Sequence, residues 1–278
     1  VKYRHDGKLV ALGYNGDGTI ATATDGNSRS TTLSNWYRGI PRTISYADTT
    51  AESAAVNDLG WITSSTDENG FTTTYGHDAM GRIARITYPI GDSTAWNDVT
   101  AIFEQVGGAE RGLGAGHWRM RRSQGNKQVN TYYDALWRPV LEEQFDAASP
   151  ATSSTHIAKR YDDQGQLAFQ SYPQRSIADF QQALTGTATS YDALGRVTQV
   201  RQDSELGQPL LTTTEYLPGF VVKTTNPRNQ VTTQRFEAYE APTYDAPVSI
   251  ETPLGVSTSI SRNAFGSPVS VTQTGPDG

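Results

Sequence analysis

Short strand-forming runs separated by polar turns make up most of the chain. Leu9–Leu12 and Thr19–Thr24 predict two strands, with turn signals at Asp6–Gly7 and Gly16–Gly18. The run Gly81–Pro89 predicts a strand that ends at its proline, because proline cannot donate a hydrogen bond into a ladder. This pattern is typical of successive β-hairpins.

One segment has a helical pattern instead. Ser176 is a natural N-cap, and Ile177, Phe180 and Leu184 would share one face of a helix. We therefore predict a short helix over residues 177–184, inserted between strands. A helix of this length is stable only when its apolar face packs on another element.

A six-residue turn motif recurs along the chain, and its clearest copy is Tyr191–Arg196. Asp192 can accept a hydrogen bond from the backbone two residues on, and Gly195 can adopt the positive φ that closes a type I turn with a bulge. Tyr191 would then end one strand and Arg196 would begin the next. The variants are Tyr133–Arg138, Tyr161–Gln166 and His77–Arg82, with weaker copies at Tyr14–Gly18 and Asn263–Gly266. The residues predicted to build the turns are Asp78, Gly81, Arg82, Tyr133, Asp134, Tyr161, Asp162, Gly165, Tyr191, Asp192, Gly195 and Arg196.

The spacing of the motif is regular. Asp134 and Asp162 are 28 residues apart, Asp162 and Asp192 are 30 apart, and Asp78 and Asp134 are 56 apart, which is two such periods. One period therefore holds two strands and two turns. Periods of this length indicate arrays whose units bury their apolar surface against their neighbours. We expect an all-β array of antiparallel hairpins that runs over residues 1–278.

These motifs resemble the RHS, or YD-repeat, family, which includes bacterial polymorphic toxins, shell components of insecticidal toxin complexes and the teneurins. Thr66–Tyr75 fits the second half of the family's repeat, and Asn226–Thr233 and Thr252–Thr258 are looser copies. Trp137 stands where glycine is usual, and Gln166 replaces the arginine. These two departures concern the conformation of two turns.

The resemblance implies a fold and a role. In this family the hairpins join side by side into a long, curved sheet that spirals and closes into a hollow shell around a C-terminal toxic or variable domain. The family's self-cleaving motif and a variable domain are both missing from this sequence. The chain begins at Val1 without Met and ends at Gly278 within a repeat-like phrase, so we expect a fragment of a longer protein.

Two function hypotheses follow, together with a weaker enzymatic one. The first is a structural, non-catalytic wall segment of a secreted or surface bacterial protein, whose partners are the rest of its own shell and an encapsulated domain. The alternative is a carbohydrate- or cell-surface-binding module. Its candidate contacts are the dispersed aromatic side chains Trp36, Tyr37, Trp61, Trp96 and Trp118.

Residues 91–127 interrupt the period. Val99–Val106 predicts a strand, and the glycine-rich stretch Gly107–Gly116 predicts a loop or lid. Trp118 follows this loop. Its large apolar surface favours a position beneath the loop, although it could also stack on a sugar or a partner.

Composition agrees with a sheet whose faces are partly wet. The chain is 36% hydrophobic and carries 26 glycines and 14 tyrosines. A net charge of −6 argues against nucleic acid as a partner, because phosphate binding needs a broad cationic surface. The one basic cluster, Arg119–Arg122, is interpreted as a solvated face. No apolar run approaches the roughly 20 residues of a membrane-spanning helix.

Candidate chemistry is sparse. The chain has no cysteine, which excludes disulfides and thiol chemistry. The four histidines, His5, His77, His117 and His156, are far apart in the sequence. Asn15–Gly18 and Asp67–Gly70 resemble oxygen-rich loops but lack the twelve-residue form of a strong calcium site. We therefore predict no catalytic residues, no metal site and no cofactor.

A fragment of a continuous array would have two sheet edges with unpaired backbone N–H and C=O groups. Pro268 and Pro276 would blunt the C-terminal edge, whereas the strand at Leu9–Leu12 has no proline. We therefore expect self-association through the N-terminal edge.

Overall fold

The structure is a computed structural model that describes residues 2–4, 7–91, 93–239 and 241–276. Within these ranges the chain forms 23 strands and one helix of four residues. The predicted turn residue Asp6 and the histidine His5 lie outside the described residues. The predicted all-β architecture is confirmed.

The strands are short, and most are five to eight residues long. They are β1 (Lys2–Arg4), β2 (Gly7–Tyr14), β3 (Ile20–Asp25), β4 (Ser30–Ser34), β5 (Thr43–Ser45), β6 (Ala51–Val56), β7 (Ile62–Thr66), β8 (Thr72–His77), β9 (Ile83–Thr87), β10 (Val99–Gln105), β11 (Trp118–Gln124), β12 (Lys127–Tyr133), β13 (Pro139–Asp146), β14 (Thr155–Tyr161), β15 (Leu167–Ser171), β16 (Gly186–Tyr191), β17 (Val197–Gln202), β18 (Leu210–Leu217), β19 (Val221–Thr225), β20 (Val231–Phe236), β21 (Pro247–Glu251), β22 (Ser257–Arg262) and β23 (Pro268–Thr274). The helix, α1, is Pro150–Ser153.

The chain contacts divide into two compact units, where the repeats alone suggested one continuous array. Each unit combines segments that are separate in the sequence. The first unit is Val1–Val106, Trp118–Tyr132 and Glu143–Ser154. The second unit is Gly107–His117, Tyr133–Glu142 and Thr155–Gly278.

The first unit contains an antiparallel meander in which each strand from β1 to β11 pairs with the next. In β6 the side chains alternate between exposed and half-buried along the strand. Such alternation follows from the two-residue period of a strand, which places every second side chain on the same, half-buried face of the sheet. Val99 and Tyr132 are buried in this unit.

The second unit contains a matching meander from β14 to β23. Its buried apolar side chains include Val140, Ala158, Ile177 and Val222. Most other strand residues are half-buried, because a sheet rich in threonine and tyrosine covers only part of each side chain.

The predicted helix over residues 177–184 is wrong. The segment forms turns in which Asp179 Oδ1 accepts a hydrogen bond from the Gln181 amide at 2.8 Å. The Phe180 amide donates to the carbonyl of Arg111 at 3.1 Å, and the Arg111 guanidinium donates to the carbonyl of Ile177 at 2.9 Å. These tertiary bonds take backbone groups that a helix would have paired internally, and they outweigh the local helix signals.

The strand at Leu9–Leu12 is not the first described strand of the sheet, and the expected self-association through the N-terminal edge stays a prediction. These residues lie within β2, which pairs with β3 along Val10–Tyr14. Over Gly7–Val10 the other side of β2 pairs with β1. The first described strand of the meander is therefore β1, and it covers part of the edge that the sequence suggested.

The interruption at residues 91–127 contains the predicted strand, β10, which pairs along its full length with β11. The indole of Trp118 stacks on the ring of Phe103 in β10, with ring centroids 5.0 Å apart and planes 11° apart. Trp118 is thus part of the packing within this hairpin.

Candidate functional site

Twelve turns in the described part of the chain share one backbone pattern. The amide of the first residue donates to the carbonyl four residues on, and its own carbonyl accepts from the amide three residues on. For Asp192 these distances are 2.9 and 3.0 Å. The first residues are Asn15, Asp25, Tyr46, Asn57, Asp67, Asp78, Asp134, Asp162, Asp192, Asn226, Thr252 and Asn263.

The side chain of the first residue adds further hydrogen bonds. Asp192 Oδ1 accepts from the amides of Leu194 and Arg196 at 2.9 and 3.0 Å, and its Oδ2 accepts from Arg196 Nε at 2.7 Å. Asp78 and Asp134 make the same three contacts with their own turns. A single carboxylate thus closes the backbone turn and fixes the arginine that follows it.

The fourth position of each turn is in the left-handed region. Gly165 and Gly195 have φ values of 82° and 79°, which glycine adopts without steric cost. Trp137 stands at the same position with φ 64°, and its amide still donates to Asp134 at 3.1 Å. The departure from glycine therefore leaves the turn's hydrogen bonds in place. Gln166, the other departure, also closes its turn, through the Asp162 amide at 2.9 Å.

The arginine of a turn stacks on an aromatic ring 20 to 23 residues further along the chain. Such contacts are cation–π interactions, which favour a guanidinium over the face of a ring. The guanidinium-to-ring distances are 4.2 Å for Arg82 over Phe103, 4.7 Å for Arg138 over Tyr161 and 4.1 Å for Arg196 over Tyr216. Each contact joins one hairpin to a later one within the same unit.

The tyrosines before two turns bind backward along the chain. Tyr161 Oη donates to the carbonyl of Pro139 at 2.9 Å, and Tyr191 Oη donates to the carbonyl of Leu167 at 3.0 Å. Tyr161 therefore receives the guanidinium of Arg138 on its ring and holds the strand after Arg138 through its hydroxyl. We call these contacts the turn ladder. They are the Asp–Arg hydrogen bonds within a turn, the stacking of that arginine on a later aromatic ring, and the hydrogen bond from a tyrosine hydroxyl back to an earlier strand.

Turn glycines are also places of close approach. A Cβ at Gly81 would lie 2.8 Å from two ring carbons of Trp61, which belongs to the turn that starts at Asn57. A Cβ at Gly195 would lie 2.7 Å from Gln166 Nε2. Gln166 thus lies against the next turn, although it lacks the guanidinium of the other copies. Glycine fits these two positions for two reasons. It adopts the positive φ, and it has no Cβ that would overlap the stacked side chain.

Charges in the ladder are stabilised by their partners. The hydrogen bond from Arg196 lowers the pKa of Asp192, and Asp192 in turn raises the pKa of Arg196. For Asp134, burial alone would raise the pKa, but the hydrogen bonds from Arg138 outweigh it and lower the pKa below its ordinary value. Burial raises the pKa of Tyr161 and that of Tyr216. The ladder therefore holds ionised aspartate and arginine beside neutral tyrosine at neutral pH.

The third position of six turns carries a large apolar side chain that points into solvent. The exposed fractions of these side chains lie between 67% and 77%. We call these residues the turn tips; they are Leu59, Met80, Leu136, Leu194, Leu254 and Phe265. They contribute little burial to their own hairpins.

The three histidines in the described ranges, His77, His117 and His156, lie in separate places. The ring of His77 lies 5.2 Å from that of Trp61. His117 Nδ1 is 2.8 Å from the carbonyl of Gly114, and its Nε2 is 3.3 Å from Glu110. His156 pairs with Gln174 through the backbone. Across the described ranges, no three His, Asp or Glu side chains are grouped as metal ligands would be, and no helix is long and apolar enough to cross a membrane.

The aromatic residues considered for ligand binding are mostly used in packing. Trp36 donates from Nε1 to a backbone carbonyl at 3.0 Å, and Tyr37 donates to Asp58 at 2.8 Å. Trp61 lies against the neighbouring turn, as described above. Trp96 is 58% exposed, and the centroid of its ring lies 5.8 Å from that of Tyr88.

The basic cluster is paired with acid across the hairpin. Arg119 and Arg121 both contact Glu104 of β10, at 2.7 and 2.8 Å. The hydrogen bond from Arg119 lowers the pKa of Glu104, with a smaller contribution from Arg121. Two of the three guanidiniums are therefore engaged within the sheet, which weakens the cluster as a phosphate-binding surface.

Sequence reasoning missed some members of the turn series. The turn that starts at Tyr46 has neither a leading acid nor a glycine at its fourth position, where Thr49 has φ 76°. Asp25 starts a turn with Ser28 at the fourth position, φ 64°. Asp25 does carry a signal, because its Oδ1 accepts from the amides two and four residues on.

Comparison with known proteins is consistent with this geometry. The sequence profile of the RHS repeat matches residues 56–92. Among solved structures, the chain is similar to TcdB2-TccC3 without its hypervariable C-terminal region, at 13% identity over 94% of this chain and 15% of that chain, with a TM-score of 0.58. It is also similar to the Photorhabdus luminescens Tc holotoxin pore with a TccC3 mutation, at 12% identity over 95% of this chain and 17% of that chain, with a TM-score of 0.43. No sequence among curated proteins matches the chain.

The stacked turns and antiparallel meanders define a β-hairpin repeat protein. The chain carries an RHS repeat at residues 56–92, and the resemblance drawn from the Tyr-Asp motifs is confirmed. The TcdB2-TccC3 structure shares the fold, and the present chain spans about 15% of the length of that chain.

Proposed function

We propose that this chain is a structural, non-catalytic wall segment of an RHS-type shell that encloses a C-terminal toxin or variable domain. The observation that supports this role is the turn ladder. Each Arg–aromatic contact joins hairpins about 20 residues apart, so the sheet is stiffened along its strand-to-strand direction. A container wall needs such stiffness without a large interior core, and few of the described side chains are buried.

The partners in this proposal are the neighbouring segments of the same shell and the polypeptide that it encloses. The proposed location is a secreted or surface bacterial protein. The fold shared with TcdB2-TccC3 supports this proposal, because that protein has a hypervariable C-terminal region, which its crystallised form lacks. The RHS repeat at residues 56–92 supports it independently.

The test uses the native-length protein that contains this segment. Cryo-electron microscopy should show these hairpins within a continuous wall around a lumen that holds further density. In a protease-protection assay, the enclosed domain should resist digestion. Arg138→Gln, which removes both the clamp on Asp134 and the stacking on Tyr161, should speed its digestion.

Arg201→Gln is the matched control, because Arg201 is about half exposed and pairs with Asp203 on the surface of the same unit. Its digestion rate should equal that of the unmodified protein. A structure in which these hairpins enclose no lumen would contradict the wall role. Saturable glycan binding that is lost in Trp96→Ala would favour the alternative, a carbohydrate-binding module.

A further inference from the structure

A cavity of about 370 Å³ lies in the second unit beside the turn that starts at Asp134. The cavity brings together two guanidinium groups, one carboxylate and several apolar or neutral side chains. Its lining residues are Asp134, Arg138, Val140, Arg160, Tyr161, Phe180 and Gln181.

The charges at this cavity are not balanced. Arg138 is neutralised by Asp134, whose Oδ2 lies 2.8 Å from Nε and 2.8 Å from Nη2. Arg160 has no carboxylate partner in the part of the chain that the structure describes. Its Nη2 donates to the carbonyl of Gln182 over a long 3.3 Å, and its guanidinium lies 4.1 Å above the ring of Phe169. The site therefore carries one net positive charge.

Arg160 Nε is buried, and no acceptor among the described residues bonds to it. A buried donor without an acceptor is costly, and this cost is larger for a charged group. The guanidinium presents its donors in a planar fork that fits a carboxylate or a phosphate. The unused donor and the uncompensated charge belong to the same side chain.

The fold itself does not require an arginine at this position. Arg160 directly precedes the aromatic residue that receives the arginine of the preceding turn. At the equivalent positions the ladder has Ile102 before Phe103 and Glu215 before Tyr216. An apolar or an acidic side chain is thus compatible with the same architecture, so the turn ladder does not account for a guanidinium at this position.

We propose that this cavity binds an oxyanion, either a carboxylate of a polypeptide or a free phosphate, with Arg160 as its main contact. Val140 and Phe180 limit the access of water, which strengthens the electrostatic attraction of the Arg160 guanidinium for an anion. This proposal does not depend on the shell role, because it rests only on the contacts of the second unit.

Isothermal titration calorimetry in a phosphate-free buffer tests the proposal with three probes. The probes are inorganic phosphate, a short peptide with a free C-terminal carboxylate, and the same peptide with an amidated C-terminus. We expect saturable binding of phosphate or of the free-acid peptide, and weaker binding of the amide. Tighter binding of the peptide acid identifies a polypeptide carboxylate as the ligand, and tighter binding of phosphate identifies a free anion.

Arg160→Gln should weaken that binding by about tenfold or more, because a charge-assisted hydrogen bond is lost. The control Arg201→Gln removes a guanidinium that pairs with Asp203, and it should leave the affinity within about twofold, since surface pairs contribute little. Gln181→Glu places a carboxylate at an exposed position in the lining and should compete with the ligand, with a similar loss of affinity.

Gln181→Glu keeps the test decisive if Arg160→Gln fails to fold. The proposal is overturned if none of the probes binds with saturation. It is also overturned if both variants bind as tightly as the unmodified protein.

Discussion

A matched pair of glycine substitutions measures how strongly one turn stacks on the next. Gly18 and Gly81 occupy the fourth position of the same turn type, with φ values of 85° and 81°. A Cβ at Gly18 would meet nothing within 4 Å, whereas a Cβ at Gly81 would lie 2.8 Å from the ring of Trp61. Gly18→Ala therefore reports the backbone cost alone, and Gly81→Ala reports this cost together with the overlap.

The expected magnitudes differ clearly. An alanine in the left-handed region costs about 1–2 kcal/mol, and the smaller entropy of its unfolded state returns about 0.4–1 kcal/mol. Gly18→Ala should thus lower the free energy of unfolding by about 0.5–1 kcal/mol. Overpacking adds about 1–3 kcal/mol, so Gly81→Ala should lower the free energy of unfolding by about 1.5–4 kcal/mol. The indole cannot move away without loss, because it also contacts the ring of His77 at 5.2 Å.

Urea unfolding followed by far-ultraviolet circular dichroism measures both changes. A double-mutant cycle with Trp61→Ala isolates the overlap, since Gly81→Ala should then cost no more than Gly18→Ala. The stacking argument is refuted if the two glycine variants lose equal stability. It is also refuted if the cost of Gly81→Ala stays unchanged in the Trp61→Ala background.

Three further predictions use other parts of the sheet. Thr49→Gly should stabilise the first unit by about 0.5–1 kcal/mol in urea unfolding, because Thr49 is an exposed, β-branched residue at φ 76°; lower stability would contradict this. Arg196 lowers the pKa of Asp192, so this carboxylate stabilises the fold above its unfolded pKa of about 4, and the contribution is lost as pH falls through the lower folded pKa. In Asp192→Asn the urea midpoint should therefore fall less steeply with decreasing pH below about pH 4 than in the unmodified protein. An equal pH dependence in the two proteins would exclude this role. Val271 is 63% exposed in β23, whose described partner is β22, and Pro268 removes a ladder donor only at the start of this strand. We therefore expect concentration-dependent association in light scattering that Val271→Lys reduces, and a monomer at all concentrations would argue against an open edge there.

The turns were largely predictable from sequence because their chemistry is local. The Asp192 carboxylate and the two amides that donate to it, those of Leu194 and Arg196, lie within one six-residue segment. The sequence of that segment is therefore enough to predict the turn. The turn at Tyr46 shows the limit of this reasoning. It has the same backbone bonds without the leading acid or the glycine, and neighbouring strands β5 and β6 hold it in place.

The ladder contacts were not predictable, because they depend on which hairpins lie side by side. Arg138 and Tyr161 are 23 residues apart in the chain, and they meet only when the second unit has folded. The helix predicted over residues 177–184 failed for a related reason. Its cap and apolar spacing were real local signals, but the contacts with Arg111 come from a segment more than 60 residues earlier.

The turn tips make this chain a convenient scaffold for chemical labelling. Leu136 and Leu194 contribute their amides to the turn while their side chains point into solvent, so the side chain can be exchanged without altering a hydrogen bond. The natural sequence has no cysteine, and a cysteine introduced at a tip would be the only thiol. Fluorophores attached at Leu194 and Leu254 would then report distances along the second unit by energy transfer, with the reporters carried on ordered backbone.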